Sequence, residues 1–260
     1  MAKFRVIVAD CPWGFGDELS MSKTKRGASS NYETLSIEDL KNLKVKEICE
    51  DDAILVLWVP STLLSEGLEV MKAWGFRQTQ THIWVKTKKD PLRSLQRDLV
   101  QVFKNALKTG FYQLVKDTLS KFNPDNLLAF GMGRLFRQTH ELALVGVKGK
   151  IYNHLENKSQ RSVHFYPATK HSVKPEALQD MLDKMFPKAK FSKLELFARR
   201  QKIGWVCVGN EAPMSKGEDI KQSIEKLKGD MSPINNLIYC YDEGVKEKMQ
   251  EVWSGISIKP

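Results

Sequence analysis

Short apolar runs alternate with segments of helical spacing along this chain, and this alternation limits its fold more than any other feature. The stretches 4–9 (FRVIVA), 53–60 (AILVLWVP) and 81–86 (THIWVK) are rich in β-branched and apolar residues, as is typical of strands buried on both faces. Further strand patterns follow in ELALVGVKG, KLELFA and IGWVCVG. The sequence therefore predicts an α/β fold with a mostly parallel, twisted sheet and helices on both faces.

Three residues mark helix ends in the pattern. Ser36, with Asp39 three residues later, predicts the N-cap of a short helix. Gly75 follows a segment of helical spacing and predicts its C-terminal stop. Pro175 precedes ALQDMLDKMF and is predicted at the first position of another helix.

The domain organisation predicted from these patterns has one main domain over residues 1–211. Residues 90–128 interrupt the strand and helix alternation with helical spacing broken near Gly110, so they are predicted to form a helical insertion. Residues 212–260 contain helical segments separated by a proline-bearing break, and they are predicted to form a C-terminal helical extension.

The formal net charge of +10 favours a polyanionic partner, because each neutralised phosphate releases counterions. The charge is concentrated: residues 86–137 carry eleven Lys and Arg against four Asp, whereas residues 212–260 are nearly neutral. The alternative is a well-solvated basic surface without a partner. We expect nucleic acid as the partner.

Other classes of protein are disfavoured by what the sequence lacks. It has no run of about 18 apolar residues, so no membrane span is expected, and no secretory signal is recognised. The cysteines at positions 11, 49, 207 and 240 form no CxxC pair, which indicates a reducing compartment, and a cytoplasmic location is expected. The histidines show no ligand spacing, so no metal is assigned.

An unusual group of residues, Asp10-Cys11-Pro12-Trp13, ends the first predicted strand. A carboxylate oxygen and a main-chain carbonyl in a proline-stiffened turn can accept both N–H groups of a planar amine such as that of adenine. An aromatic ring beside them can stack on a base taken out of its helix. The alternative is an ordinary turn, with Asp10 as a cap and Trp13 in the core.

The wider sequence resembles the MT-A-type family of adenine methyltransferases, whose hallmark is a strand that ends in DPPW. The segment VADCPWGFG is followed by NYETLSIEDL, and the family has a similar Tyr-x-Thr-Met-Ser segment there. The blocks ILVLWVP, AWGF, THIWVKT, HELALVGVKGK, HSVKPEAL, LELFARR and GWVCVGNE also resemble family blocks, in the family's order. The similarity covers roughly residues 4–86 and 129–211, about two thirds of the chain.

This resemblance implies a Rossmann-like methyltransferase that uses S-adenosylmethionine. In the family the catalytic strand precedes the cofactor-binding segments. This permuted motif order accounts for the lack of a glycine-rich fingerprint early in the chain. The compact chain is more similar to the small prokaryotic and phage members of the family than to its long eukaryotic subunits. If the protein is phage-encoded, the expected cytoplasmic location is the cytoplasm of the host.

The resemblance also implies roles for individual residues. It implies that Asp10 and the Cys11 carbonyl hold the target amine and that Trp13 lines the base pocket. The residues implied to be catalytic are Asp10, Cys11, Pro12 and Trp13. Those implied to bind the cofactor are Asp10, Ser172, Lys174, Glu195, Arg199, Asn210 and Glu211. Among them, Lys174 matches the lysine that pairs with the cofactor's carboxylate.

Two positions depart from the family pattern. Cys11 stands where the family usually has proline, but cysteine retains the main-chain carbonyl and Pro12 still restricts the preceding residue to an extended shape. Some relatives carry a histidine and an asparagine after the LFAR segment, where this chain has Arg200, Gln201 and Lys202. Gln201 is a candidate substitute at the ribose.

The predicted function is methyl transfer to the N6 amine of adenine in DNA. RNA as the substrate and a catalytically silent nucleic-acid-binding subunit are the alternatives, and the oligomeric state, a homodimer included, stays open. The basic side chains expected to contact nucleic acid lie in the loop 15–31 and in the insertion with its flank. They are Lys23, Lys25, Arg26, Lys88, Lys89, Arg93, Arg97 and Lys104.

Overall fold

A computed structural model describes residues 3–14, 34–106, 116–117, 120, 123–131, 135–168, 173–189 and 192–256. The predicted loop 15–31 and the break near Gly110 therefore lie outside the described residues. Among the residues that are described, no helix is both long enough and apolar enough to cross a membrane.

The strands form one seven-stranded sheet in the order β5-β3-β4-β2-β1-β6-β7. The strands are β1 (Phe4–Ala9), β2 (Cys49–Val59), β3 (Arg77–Thr87), β4 (His140–Lys148), β5 (Val163–Pro167), β6 (Lys193–Leu196) and β7 (Val206–Val208). Parallel pairs join β1 to β2 and β6, β6 to β7, and β3 to β5, whereas β2 and β4 are antiparallel. The predicted α/β fold with a mostly parallel sheet is confirmed, with β4 as the reversed strand.

The helices connect and cover these strands. They are α1 (Ile37–Lys41), α2 (Leu64–Ala73), α3 (Arg93–Ala106), α4 (Ala177–Met185), α5 (Ile220–Leu227), α6 (Ser232–Asn235) and α7 (Glu243–Ser254). Short 3-10 turns occupy Lys44–Ile48, Ser61–Leu63, Pro124–Leu127, Ile151–His154 and Ile238–Cys240. The Ser36 cap is confirmed, because its hydroxyl accepts a hydrogen bond from the Asp39 N–H at 3.0 Å. Gly75 has a φ of 86°, as a helix stop requires.

Two local predictions were wrong. Pro175 does not begin a helix: α4 starts at Ala177 after an N-cap at Glu176, so the proline lies just outside. The predicted strands also omit β5, which ends at Tyr166 and Pro167. This strand is short and half exposed, and it forms by parallel pairing with residues 83–87 of β3, a long-range contact that its own residues do not encode.

One face of the sheet is buried against the C-terminal helices. The alternating residues Ile7 and Ala9 of β1 point to the same face, and they belong to one apolar cluster with the tail. The tail contributes Ile220, Ile224, Leu227, Met231, Ile234, Ile238, Met249 and Trp253 to this cluster. Residues 212–260 therefore complete the core of the sheet, while their predicted separation as a distinct extension stays a prediction.

By compactness the chain divides into two units. The first unit comprises Met1–His82, Leu142–Ser162 and Glu176–Pro260, and the second comprises Ile83–Glu141 and Val163–Pro175. The predicted insertion at 90–128 lies within the second unit, and the Asp10 segment lies within the first.

Candidate active site

Asp10 is the first residue after β1, a strand in the interior of the sheet. Its neighbours β2 and β6 run parallel to β1, so these three strands end at the same edge, where α/β sheets bind their ligands. The Asp10 N–H donates to the Leu196 carbonyl at 3.4 Å, which extends the pairing of β1 with β6 by one residue. This hydrogen bond fixes the main chain at Asp10, and the Asp10 side chain is half-buried.

The turn after Asp10 is held by three hydrogen bonds. The Trp13 N–H donates to the Cys11 carbonyl at 2.9 Å, and the Pro12 carbonyl accepts from the Leu35 N–H at 3.0 Å. The Trp13 indole is 4% exposed, and its Nε1 donates to the Trp58 carbonyl at 2.9 Å. Trp13 thus anchors the turn in the core, and its predicted role as a wall of the base pocket stays a prediction.

Cys11 is buried in this turn. Burial raises the pKa of its thiol well above the usual value, and the charge of Asp10 raises it further. A protonated, enclosed thiol is a poor nucleophile. The Cys11 carbonyl accepts from the Trp13 N–H and keeps a second lone pair for another donor, while its predicted role in holding the amine stays a prediction.

Glu195 lies beside Asp10 on the same face of the sheet. Val8 is opposite Glu195 in the parallel register of β1 and β6, and side chains two apart on a strand share a face, which places Asp10 with them. The Glu195 carboxylate is buried, and its Oε2 accepts from Nε2 of Gln179 at 2.9 Å. The sulfur of Cys207 lies 3.7 Å from the same oxygen.

Gln179 is a site residue that the sequence analysis missed. Its side-chain oxygen accepts from Nη2 of Arg200 at 3.3 Å, so the amide bridges that guanidinium to Glu195. Arg200 Nε lies 2.7 Å from Oε1 of Glu176. The sequence holds one signal for Gln179, because its amide lies between Leu178 and Leu182 on the buried side of α4. A buried amide requires hydrogen-bond partners.

The buried position of Glu195 predicts a pH-dependent stability. Burial raises the pKa of the carboxyl above 4.5; Arg200 and Gln179 oppose the rise, and Asp10 adds to it. The folded state therefore favours the protonated form, and this contribution is fully present below pH 4.5 and lost as pH rises through the folded-state pKa. We expect Glu195→Gln to increase the melting temperature relative to the natural chain, progressively as the pH rises from 4.5 through the folded-state pKa of the carboxyl.

Thermal unfolding across this pH range measures the effect, and Glu247→Gln, at an exposed position of α7, is the matched control. A melting-temperature difference between the Glu195→Gln variant and the natural chain that does not change with pH would contradict the assignment.

The turns after β6 and β7 hold three more predicted cofactor residues. Arg199 Nη1 lies 3.5 Å from Oε1 of Glu211, and Asn210 is exposed beside them. The two turns touch closely, because a Cβ at Gly209 would lie 2.4 Å from the Ala198 carbonyl oxygen, so only glycine fits. Their guanidinium, amide and carboxylate groups suit the hydroxyls and charged ends of S-adenosylmethionine.

Lys174 belongs to an ion-pair group within the second unit. Its Nζ lies 3.2 Å from Oε2 of Glu141, and Nζ of Lys86 lies 2.5 Å from Oε1 of the same residue. Burial alone would raise the pKa of Glu141, but the two ammonium groups outweigh it and hold the pKa below the usual value. Glu141 was not predicted in this group, and its one carboxylate against two ammonium groups leaves one net positive charge. The pairing of Lys174 with the cofactor's carboxylate stays a prediction.

The described basic residues predicted to contact nucleic acid are all exposed: Lys88, Lys89, Arg93, Arg97 and Lys104. The last three lie four and seven residues apart on α3, so they share one face. Val102, on the other side of α3, is 5% exposed. Ser172 and the basic residues Lys23, Lys25 and Arg26 lie outside the described residues.

An α/β sheet with an aspartate at the tip of β1, a locked turn after it and polar groups after β6 and β7 is the arrangement expected of a Rossmann-like methyltransferase. A comparison with protein families identifies the family within this class. The MT-A70 model matches residues 4–109 and 97–211, and the chain belongs to the MT-A70 family. The family predicted from the sequence blocks is thereby confirmed.

Curated relatives fall into two groups by length. The type II methyltransferase M.MunI of Mycoplasma sp is 28% identical over 231 residues, 83% of this chain and 81% of that protein. A probable N(6)-adenosine-methyltransferase MT-A70-like protein of Oryza sativa subsp. japonica is 28% identical over 81% of this chain but 23% of its own length. The human N(6)-adenosine-methyltransferase catalytic subunit METTL3 is 26% identical over 81% of this chain and 28% of its own length.

Proposed function

We propose that this protein transfers a methyl group from S-adenosylmethionine to the N6 amine of adenine in DNA. The observation that carries the proposal is Asp10, held at the tip of β1 by the turn that Trp13 anchors, in a chain of the MT-A70 family. The cofactor supplies an electrophilic methyl group. The residues of this chain supply the placement of the amine.

Adenine's exocyclic amine is a poor nucleophile because its lone pair is delocalised into the ring. The Asp10 carboxylate accepts one N–H and the Cys11 carbonyl accepts the other, which favours the tetrahedral shape in which the lone pair is available. Alkylation leaves the nitrogen with a surplus proton, and Asp10 is the acceptor for it. Orientation and hydrogen bonding to the developing charge supply most of the rate increase.

DNA is favoured over RNA by the extent of the matches. This chain matches the type II methyltransferase M.MunI over 81% of that protein. It spans only about a quarter of the N(6)-adenosine-methyltransferases from rice and human. Their names nevertheless keep RNA as the second candidate substrate.

A methyl-transfer assay with labelled S-adenosylmethionine on matched DNA and RNA oligonucleotides tests the proposal. Label incorporated into DNA as N6-methyladenine is the expected result. Transfer to RNA alone would establish the second candidate. Cofactor binding measured by calorimetry without transfer to either nucleic acid would contradict both.

The exposed face of α3 is proposed to contact the DNA backbone. Charge reversal at Arg93, Arg97 and Lys104 should weaken DNA binding at all sequences. It should also reduce the slope of log affinity against log salt by about 0.9 for each phosphate that these side chains no longer neutralise. Anisotropy titrations of labelled duplexes at several salt concentrations measure both quantities.

Charge reversal at Lys216 and Lys248, exposed in the tail, is the control and should leave the salt slope unchanged. An unchanged slope in the α3 variant would exclude α3 as a DNA-binding surface.

A further inference from the structure

The second unit presents large apolar side chains to solvent in one short segment. Phe130 is 77% exposed, Leu135 is 92% exposed and Phe136 is 87% exposed. Burying one such side chain stabilises a protein by about 1.5–3 kcal/mol. Several of them left in water close together mark a surface that binds something.

The ends of this segment are fixed to strand β3. The Ala129 N–H donates to the Lys86 carbonyl and the Lys86 N–H donates to the Thr139 carbonyl, each at 2.8 Å. Gly131 then passes so near Gln138 that a Cβ would lie 2.0 Å from its carbonyl oxygen. Phe130 and the described residues 135–137 therefore lie next to a closed base.

A cation accompanies the exposed ring. The guanidinium carbon of Arg137 lies 4.7 Å from the centroid of the Phe130 ring, a cation–π distance. Lys88 and Lys89 are exposed two and three residues after the anchor at Lys86, and the Lys88 N–H donates to the Leu127 carbonyl at 3.0 Å. Arg137 therefore places positive charge directly beside the exposed ring, and Lys88 and Lys89 add positive charge to the same unit.

We propose that Phe130 and Arg137 form a stacking platform for an unpaired base of the nucleic-acid substrate, with Arg137 also contacting the phosphate backbone. Every base has a π-face that an aromatic ring can hold, and positive charge beside the ring suits a polyanion. This inference rests on the proposed function and deepens it, because it assigns a substrate contact to residues outside the strand-tip site. Residues 86–137 carry eleven Lys and Arg against four Asp, and this charge favours nucleic acid over a protein as the occupant.

The test uses a fluorescein-labelled oligothymidylate with one adenine, in which each thymine is replaced in turn by an abasic site. Phe130→Leu, which keeps an apolar side chain but loses the ring, should weaken binding about 5- to 100-fold, and Phe130→Trp should retain it. An abasic site at the stacked position should weaken binding by the natural chain and have no further effect on Phe130→Leu. Phe165→Leu, at an exposed position of β5, is the matched control and should bind normally.

The outcomes separate this inference from the proposed function. Equal binding by Phe130→Leu and the natural chain, or equal losses at the abasic site, would overturn the platform even where methyl transfer is normal. Absence of transfer by the natural chain would overturn the proposed function, while the binding measurements still decide the platform. If Phe130→Leu changes the oligomeric state and leaves DNA binding unchanged, the surface is a protein interface and the platform is wrong.

Discussion

Asp10→Asn should lower kcat for methyl transfer about 100- to 1000-fold, the usual cost of removing one group that stabilises charge in a transition state. The asparagine amide matches the carboxylate in size but has one acceptor oxygen and no negative charge. It can neither take the amine's proton nor stabilise the charge that develops on the nitrogen. Initial rates with labelled S-adenosylmethionine and a saturating adenine-containing oligonucleotide measure the decrease.

The control is Asp51→Asn, at an exposed position near the start of β2, which should leave the rate unchanged. Thermal unfolding should confirm that Asp10→Asn is folded, since its main-chain bond to Leu196 does not involve the side chain. A folded Asp10→Asn variant with undiminished turnover would show that the site lies elsewhere.

Trp253→Ala should destabilise the protein by about 3–5 kcal/mol, the range for removing a buried tryptophan. The Trp253 ring is 2% exposed and belongs to the apolar cluster of the central sheet. Its Nε1 donates to Oε2 of Glu218 at 2.8 Å, and that carboxylate also accepts from the Ser223 hydroxyl at 2.7 Å and pairs with Lys226. Truncation leaves a cavity and one fewer donor to a half-buried carboxylate.

Urea unfolding followed by circular dichroism gives the free energy of unfolding. Trp253→Phe, which keeps most of the apolar volume, should cost less than Trp253→Ala, and Lys248→Ala, exposed on the same helix, should cost little. A destabilisation below about 1 kcal/mol for Trp253→Ala would mean that the tail does not support the sheet.

The strand tip shows how far local sequence predicts a site. The run FRVIVA predicts a buried strand, and its end at Asp10 follows from the change of residue type. The locked turn after Asp10 depends on distant partners, because Trp13 donates to Trp58 and Pro12 accepts from Leu35. The place of Asp10 at the strand end was therefore predictable, and a core position for Trp13 was the alternative from the same residues, but its partner Trp58 was not predictable.

The polar network around Glu195 shows the same division. Glu195 was predicted as a site residue from the LELFARR block. Its partner Gln179 was not predicted, because it lies among apolar residues of α4. Glu141, near the start of β4, likewise has no distinguishing feature in the sequence. Only the folded structure brings Lys86 and Lys174 to its two carboxylate oxygens. Such pairs join residues far apart in sequence, and their spacing carries no local signal.

The sequence by itself determined the α/β class, the MT-A70 family and the places where most strands and helices form, because burial and capping leave a periodic record in neighbouring residues. Only the tertiary structure decided that β4 runs antiparallel to β2, that β5 exists, and that the tail buries one face of the sheet. Strand direction, edge pairing and helix docking are set by contacts between distant segments. A chain's local periodicity shows that a residue is buried but not against which partner.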